Sequence, residues 1–243
     1  MTIRRKPVFG NAPQPRYSPL VPHPLAHIDT WIFDLDNTLY PASCNLFAQI
    51  DAHMGAFIME LLDVDAVEAR RVQKGFFHAH GMTLRGLMTE HGVDPHDFLA
   101  KVHDIDVSVV EHDAALVAAL HALPGRRLVF TNADVPYAER VLDRLGLADS
   151  FEAIHDVHAM DYQPKPAAAA YAQLCAVHGI DPKRAIFFED MARNLAPAHA
   201  IGMTTVWIDN GSEQGPNVGG KFIDYRITDL GAWLGGVVEE LAA

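Results

Sequence analysis

The sequence lacks the features that mark a membrane protein, a disulfide-stabilised protein or a metal-cluster protein. Its 243 residues include only two cysteines, Cys44 and Cys175, which are far apart and are not spaced as metal ligands. No apolar run approaches the roughly 18–20 residues that a membrane-spanning helix needs. We therefore expect a thiol-containing cytoplasmic protein with no disulfide framework and no membrane partner.

Positive charge is also scarce. The chain has 19 Lys and Arg residues against 31 Asp and Glu residues, which gives a formal net charge of -12. Because nucleic acids and anionic membranes are polyanions, this charge disfavours both as partners, although it leaves room for a local positive pocket. The 14 histidines are scattered and form no HExxH pattern. The sequence gives no indication of the oligomeric state.

The N-terminal stretch differs in composition from the rest of the chain. Residues 1–26 are basic and rich in proline, and they lack the apolar centre of a secretory signal. We interpret them as an N-terminal arm. We expect the arm to be extended or disordered, and the alternatives are a strap that lies on the core and a tail that binds a partner.

From the end of this arm onward, strand-like runs alternate with helical periodicity. The segments 113–123, 136–146, 166–179 and 228–242 have apolar residues at helical spacing. Such alternation predicts an α/β fold with a parallel, Rossmann-like sheet and right-handed crossovers. The predicted strands are residues 27–36, 126–132, 151–157, 185–190 and 203–209.

A long helical block interrupts the first crossover. No strand-like run occurs between about residues 42 and 108, and helical patterns cover 45–62, 65–80 and 83–91. We predict an inserted all-helical cap domain at 44–108, with an α/β core formed by 27–43 and 109–243. Ligands of open α/β sheets bind at the carboxyl ends of the strands, so an insertion after the first strand is placed to act as a lid.

Four of the apolar segments lead into polar residues that the topology brings to one edge of the sheet. Each residue alone would more often be structural, but together they predict a reaction site. They are Asp34 and Asp36 after the first strand, Thr131 and Asn132 after the second, Lys165 in the loop QPKP, and Glu189 with Asp190 after the fourth.

The pattern DLD at residues 34–36 concentrates negative charge. Residues two apart in an extended chain point to the same side, roughly 6–7 Å apart, so these carboxylates repel by about 2–3 kcal/mol. Glu189 and Asp190 add to this charge, which favours a bound cation. Clustered carboxylates suit Mg2+, with Asp34, Asp36, Glu189 and Asp190 as candidate ligands and a lysine ammonium as the protein's own counter-charge. Such a site can accept a phosphate dianion.

The ordered set resembles the haloacid dehalogenase-like phosphohydrolases. The matching segments are DLDNT at 34–38, VFTN at 129–132, QPKP at 163–166 and FFEDMARN at 187–194, within roughly residues 30–210. The resemblance implies a core with strand order 3-2-1-4-5 and an Mg2+-dependent reaction through an aspartyl phosphate. The fourth segment departs from the family pattern, because it has Glu-Asp in place of two aspartates and Asn194 where some members carry an acid.

The same resemblance implies a role for each residue of the set. Asp34 would be the nucleophile, and Asp36 the general acid and base, with its backbone carbonyl on the metal. Thr131 would hold phosphoryl oxygens, with Asn132 as a further substrate contact, and Lys165 would neutralise charge. Asp190 would bind the metal, with Glu189 beside it. A dehalogenase of this family has no carboxylate at the position of Asp36, so phosphomonoester chemistry is favoured.

The substrate is indicated only by the helical block. The segment HAHGMTLRGLM at 78–88, the opening FDLDNTLYP and FFEDMARNL resemble the pyrimidine 5′-nucleotidase branch, which dephosphorylates nucleoside monophosphates such as UMP and CMP. Arg85 is then a candidate substrate contact, and Met82 and Tyr40 are candidates for lining the pocket. The alternative is a plain helix–helix connection with a solvated Arg85. Another small substrate (a sugar phosphate or phosphoglycolate), a phosphomutase, and a non-enzymatic phosphate-binding protein remain as alternatives.

Overall fold

A parallel sheet forms the centre of the structure, a computed structural model in which residues 24–211 and 220–242 are described. The predicted arm therefore lies outside the described residues, except for residues 24–26. In this range the strands are β1 Thr30–Phe33, β2 Arg126–Phe130, β3 Ala153–His155, β4 Ala185–Glu189, β5 Thr204–Ile208 and β6 Tyr225–Ile227.

The order of the strands is β3-β2-β1-β4-β5-β6, and all neighbouring pairs are parallel. The predicted α/β class and the order 3-2-1-4-5 are confirmed. The additional strand β6 pairs with β5 at the edge of the sheet. The sequence does not predict β6, whose three residues Tyr-Arg-Ile include an exposed charged residue at the centre.

Helices cover both faces of the sheet and fill the interval between β1 and β2. None of those in the described ranges is long and apolar enough to cross a membrane. They are α1 Leu46–Leu62, α2 Ala66–His80, α3 Thr83–His91, α4 Pro95–Val102, α5 Ala114–Ala122, α6 Val135–Leu145, α7 Ala168–His178, α8 Leu195–Ala200 and α9 Leu230–Ala242.

The alternation of side chains along β1 divides the core into two apolar clusters. Trp31 and Phe33 point into one cluster, where Phe33 stacks on Phe188 with ring centroids 4.6 Å apart. Ile32 points into the other cluster, together with Phe187. Because both faces are buried, the strand is apolar throughout, as is typical of parallel sheets. The first charged residue after the strand is Asp34, which directly follows Phe33.

The interval between β1 and β2 is helical, as the sequence predicts. Helix α1 packs against α2 and α4, and α2 packs against α3. Side chains cap the N-termini of two of these helices. Asp65 accepts a hydrogen bond from the Glu68 amide at the start of α2, and Asp94 accepts hydrogen bonds from the His96 and Asp97 amides at the start of α4. The cap boundaries at 44 and 108 and the action as a lid stay predictions.

One glycine of the segment 78–88 is explained by packing. A Cβ added at Gly86 of α3 would come closer to the Phe76 ring of α2 than two carbon atoms can approach. Gly86 therefore allows the close contact of α2 and α3, which agrees with the helix–helix alternative for this part of the segment. The packing at Gly86 gives no reason for an arginine at position 85, because the Arg85 side chain is exposed.

We expect opposite effects from alanine at two helical glycines of this block. Gly86→Ala should lower the free energy of unfolding by about 1–3 kcal/mol, because the methyl group overlaps the buried Phe76 ring. The matched control is Gly75→Ala in α2, where a Cβ meets nothing within 4 Å. It should raise stability by about 0.5–1 kcal/mol through helix propensity. Urea unfolding of both variants tests this, and equal effects would contradict the packing role of Gly86.

Candidate active site

The carboxyl ends of β1, β2 and β4 meet around the ammonium group of Lys165. Lys165 Nζ donates hydrogen bonds to Asp34 Oδ1 at 2.6 Å, to Glu189 Oε2 at 2.8 Å and to the Phe130 carbonyl at 2.8 Å. The lysine is only 2% exposed. Residues more than a hundred positions apart are thus joined by one buried cation at the edge where parallel α/β sheets bind their ligands.

The loop before α7 holds Lys165 by its backbone as well as by its side chain. The Lys165 amide donates to Asn132 Oδ1 at 2.9 Å, and Asn132 Nδ2 donates to the Lys165 carbonyl at 3.2 Å. Lys165 Nζ also lies 5.1 Å and 5.3 Å from the ring centroids of Phe130 and Phe187, within cation–π range. Asn132 therefore positions the lysine loop. Its predicted contact with substrate stays a prediction.

Asp34 continues the pairing of β1 with β4 and is itself buried. Its amide donates to the Phe188 carbonyl at 2.9 Å, which sets the direction of its side chain. Thr38 Oγ1 donates to Asp34 Oδ2 at 3.3 Å, so each carboxylate oxygen has a partner. Burial, followed by the charge of Glu189, raises the pKa of Asp34 to about 8, although Lys165 acts in the opposite direction.

The charge of Lys165 is secured by the same neighbours. Burial alone would disfavour its ammonium form, but the negative charges of Asp34 and Glu189 outweigh burial and raise the pKa of Lys165. One permanent positive charge is therefore shared between two carboxylates. This leaves an excess of negative charge that a proton on Asp34 or a bound cation must balance.

Three buried carboxylates form a group with the dimensions of a metal site. Asp34, Glu189 and Asp190 each offer an oxygen, and these oxygens lie within 4.8 Å of one another. Glu189 is already engaged at both oxygens, since Oε1 accepts from the Met191 amide at 3.1 Å and Oε2 accepts from Lys165. Carboxylate oxygens are the donors that hard divalent cations prefer, and the excess negative charge favours such an ion. The residues present therefore fit a divalent cation.

Asp36 lies in a different environment from Asp34. Its Oδ1 accepts hydrogen bonds from the hydroxyls of Tyr40 at 2.6 Å and Tyr137 at 2.7 Å. Burial and the charge of Asp36 raise the pKa of both tyrosines, which keeps their hydroxyls protonated. Asp36 does not belong to the group of three acids, and its predicted metal contact through the backbone carbonyl stays a prediction. Sequence reasoning missed Tyr137 because no motif connects a helical tyrosine with a carboxylate 101 positions earlier.

Two further candidate residues, Thr131 and Arg85, have contrasting positions. Thr131 directly follows β2 and is fully buried, and its Oγ1 accepts a hydrogen bond from the Ala133 amide at 3.0 Å. It therefore lies at the same sheet edge as Asp34. Arg85 lies in the first turn of α3 with an exposed side chain, and it is not part of the hydrogen-bonded cluster around Lys165. The predicted roles of both residues stay predictions.

Comparisons with known proteins agree with this geometry. The family model "haloacid dehalogenase-like hydrolase" matches residues 28–202, which include every member of the cluster. Phosphate metabolism protein 8 of Saccharomyces cerevisiae is 26% identical over an alignment of 203 residues, which covers 76% of this chain and 63% of that protein. The chain therefore spans less than two thirds of the length of that relative.

Solved structures of low sequence identity have the same fold. The L-2-haloacid dehalogenase from Xanthobacter autotrophicus has a TM-score of 0.56 at 18% identity, with coverage of 86% of this chain and 98% of that chain. An HAD phosphatase from Thermococcus onnurineus has a TM-score of 0.58 at 18% identity, with coverage of 88% and 98%. One of these proteins is named a dehalogenase and the other a phosphatase, although both have this fold. The similarity therefore shows the fold alone.

The raised pKa of Asp34 predicts how stability depends on pH without metal. The folded pKa of about 8 exceeds the unfolded value near 4, so the folded state holds an extra proton between these pH values. In EDTA, the free energy of unfolding should therefore fall as pH rises through this window, by at most about 1.4 kcal/mol per pH unit.

Asp34→Asn should remove this fall, because the amide does not titrate. Asp29→Asn is the matched control. Asp29 is a partly exposed carboxyl paired with Arg184, and its pKa is lowered, so the slope should persist in that variant. Chemical unfolding at several pH values between 5 and 8 gives the comparison. An unchanged slope in Asp34→Asn would contradict the assignment.

Proposed function

The chain belongs to the haloacid dehalogenase-like hydrolase family, and on this premise we propose that it hydrolyses phosphomonoesters through an aspartyl phosphate on Asp34. The observation that carries the proposal is the buried Lys165 ammonium, which joins Asp34 and Glu189 beside Asp190. A dianionic phosphoryl group needs positive charge next to the attacking carboxylate, and Lys165 supplies it within hydrogen-bond distance of Asp34.

In the first step, a carboxylate oxygen of Asp34 attacks phosphorus and the bond to the ester oxygen breaks. Hydrogen bonds from Lys165 and Thr38 hold the carboxylate in one orientation for this attack. Asp36 gives its proton to the departing alkoxide. In the second step, Asp36 takes a proton from water, the water oxygen attacks the phosphorus of the aspartyl phosphate, and Asp34 is released as a carboxylate.

Asp36 favours phosphate esters over haloacids as substrates. A departing alkoxide needs a proton, whereas a departing halide does not, so a carboxylate next to the nucleophile is useful only for the ester. Asp36 is a residue of this chain, so this preference is independent of the fold that the chain shares with dehalogenases.

The metal that we propose is Mg2+. Asp34 and Asp190 would hold it by their side chains and Asp36 by its backbone carbonyl, while Glu189, already bound to Lys165 and the Met191 amide, would support the site from behind. Bound there, the ion would neutralise charge on the phosphoryl group. Thr131, at the same sheet edge, would contact a phosphoryl oxygen.

For the substrate we propose a pyrimidine nucleoside 5′-monophosphate in the cytoplasm. The support comes from the helical block, where Arg85 is exposed in α3 and available to contact a ligand. Asn132 would act on the substrate through the lysine loop that it holds. A sugar phosphate or phosphoglycolate is the second candidate, because the cluster around Lys165 recognises only the phosphoryl group.

Replacement of either aspartate should separate the two steps. Asp34→Asn should abolish phosphate release from p-nitrophenyl phosphate, by at least about a thousandfold, and should form no phosphoenzyme. Asp36→Asn should slow release by about a hundredfold or more through loss of the acid and base, while a covalent phosphoenzyme accumulates. Phosphate assay and intact-protein mass spectrometry measure both effects, with Asp29→Asn as the control. Full turnover by Asp34→Asn would refute the mechanism.

A panel of monophosphates in Mg2+ tests the substrate. We expect the highest kcat/KM with UMP and CMP, and a loss of about tenfold in Arg85→Ala for these nucleotides but not for p-nitrophenyl phosphate. EDTA should remove activity with every ester, because the excess negative charge of the acids is then unbalanced. Faster turnover of sugar phosphates or phosphoglycolate would exclude the nucleotidase specificity and leave the phosphatase reaction intact.

A further inference from the structure

We propose that Tyr40 and Tyr137 are positioning residues that hold the carboxylate of Asp36 in the orientation needed for proton transfer. The inference rests on the proposed function, in which Asp36 is the general acid and base. It assigns a role to two side chains outside the cluster around Lys165. It also predicts which class of ester will reveal that role.

The geometry places both phenols on one oxygen. Tyr40 and Tyr137 each donate to Asp36 Oδ1, at 2.6 Å and 2.7 Å, and their own hydroxyl oxygens are 3.4 Å apart. Two donors on Oδ1 fix the plane of the carboxylate and leave Oδ2 as the oxygen for exchanging a proton with the ester. Asp36 is only partly buried, so without these bonds its side chain would have other rotamers available.

The tyrosines are themselves held in place. Tyr40 is 2% exposed and Tyr137 is 1% exposed. The Tyr137 ring stacks on the His103 ring with centroids 4.5 Å apart and an interplanar angle of 19°. The His103 ring is fixed in turn by a buried hydrogen bond of 2.7 Å between its Nδ1 and Asp134 Oδ1. A rigid support of this kind is what a positioning role requires.

These contacts connect Asp36 with both ends of the helical block. Tyr40 lies just before α1, and His103 directly follows α4. The returning chain is anchored by Arg140 of α6, which donates to the His103 carbonyl at 2.9 Å and also to the Ile105 carbonyl. The Asp36 side chain, which is proposed to exchange protons, is therefore held by contacts from the two segments where the chain enters and leaves the helical block.

The alternative is that Asp36 simply satisfies two buried phenols, so that the hydrogen bonds serve folding. The dependence on the leaving group separates the two explanations. A general acid matters most when an alcohol departs and least when an acidic phenol departs. In the transfer of the phosphoryl group to Asp34, loss of positioning should therefore slow alkyl esters selectively, whereas a loss of folded protein would affect all esters equally.

The experiment compares benzyl phosphate with p-nitrophenyl phosphate in Tyr40→Phe, Tyr137→Phe and the double variant. We expect kcat/KM, which reports the steps up to formation of the aspartyl phosphate, to fall by about tenfold to a hundredfold for benzyl phosphate and by less than about threefold for p-nitrophenyl phosphate. The matched control is Tyr225→Phe, which removes a hydroxyl from a half-buried tyrosine at the far edge of the sheet and should leave both rates unchanged.

Asp36→Asn, measured on the same two esters, separates this inference from the proposed function. If Asp36→Asn shows the selective loss but the tyrosine variants slow both esters equally or neither, the positioning role is wrong and the phosphatase mechanism stands. If Asp36→Asn itself shows no selectivity, both ideas fail. Melting temperatures of all variants accompany the rates, so that a selective loss in stably folded Tyr137→Phe supports the positioning role.

Discussion

The ion pairs of Lys165 with Asp34 and Glu189 are the interaction on which the sheet edge depends. Burying a charge costs several kcal/mol, so the arrangement persists only where geometry is good and every donor is used. An ammonium group has three N–H donors, and here Asp34, Glu189 and the Phe130 carbonyl accept all three. The carboxyl ends of β1, β2 and β4 are thereby connected through a single atom.

The same interaction favours a charged ligand pair in the proposed site. Three clustered carboxylates face one ammonium, so the site without a ligand carries excess negative charge. A phosphate dianion alone would increase that excess, whereas a divalent cation together with the dianion adds no net charge. Cation and phosphate should therefore stabilise each other in this site.

Much of this arrangement was predictable because it follows from chain direction. Apolar strands that end in polar residues, combined with parallel pairing, bring Asp34, Thr131 and Glu189 to one edge whatever the details of packing. Contacts that depend on side-chain packing were not predictable. Such contacts join separate elements of the structure. Examples are the hydrogen bond between the Lys165 amide and Asn132, the hydrogen bond from Tyr137 to Asp36, and the packing of Gly86 against Phe76. Local periodicity carries no information on such contacts.

The two aspartates of the pattern DLD have different hydrogen-bond partners and, in the proposed mechanism, different roles. Asp34 is buried and faces the fixed Lys165 cation, which holds its carboxylate in one orientation for the proposed attack on phosphorus. Asp36 is half-buried and faces two neutral phenols, which orient it without supplying positive charge. In the proposed mechanism Asp36 exchanges protons, and two neutral donors orient it for this without placing a permanent cation against it. Two like charges at the end of a buried strand are therefore tolerated because each has a different kind of partner.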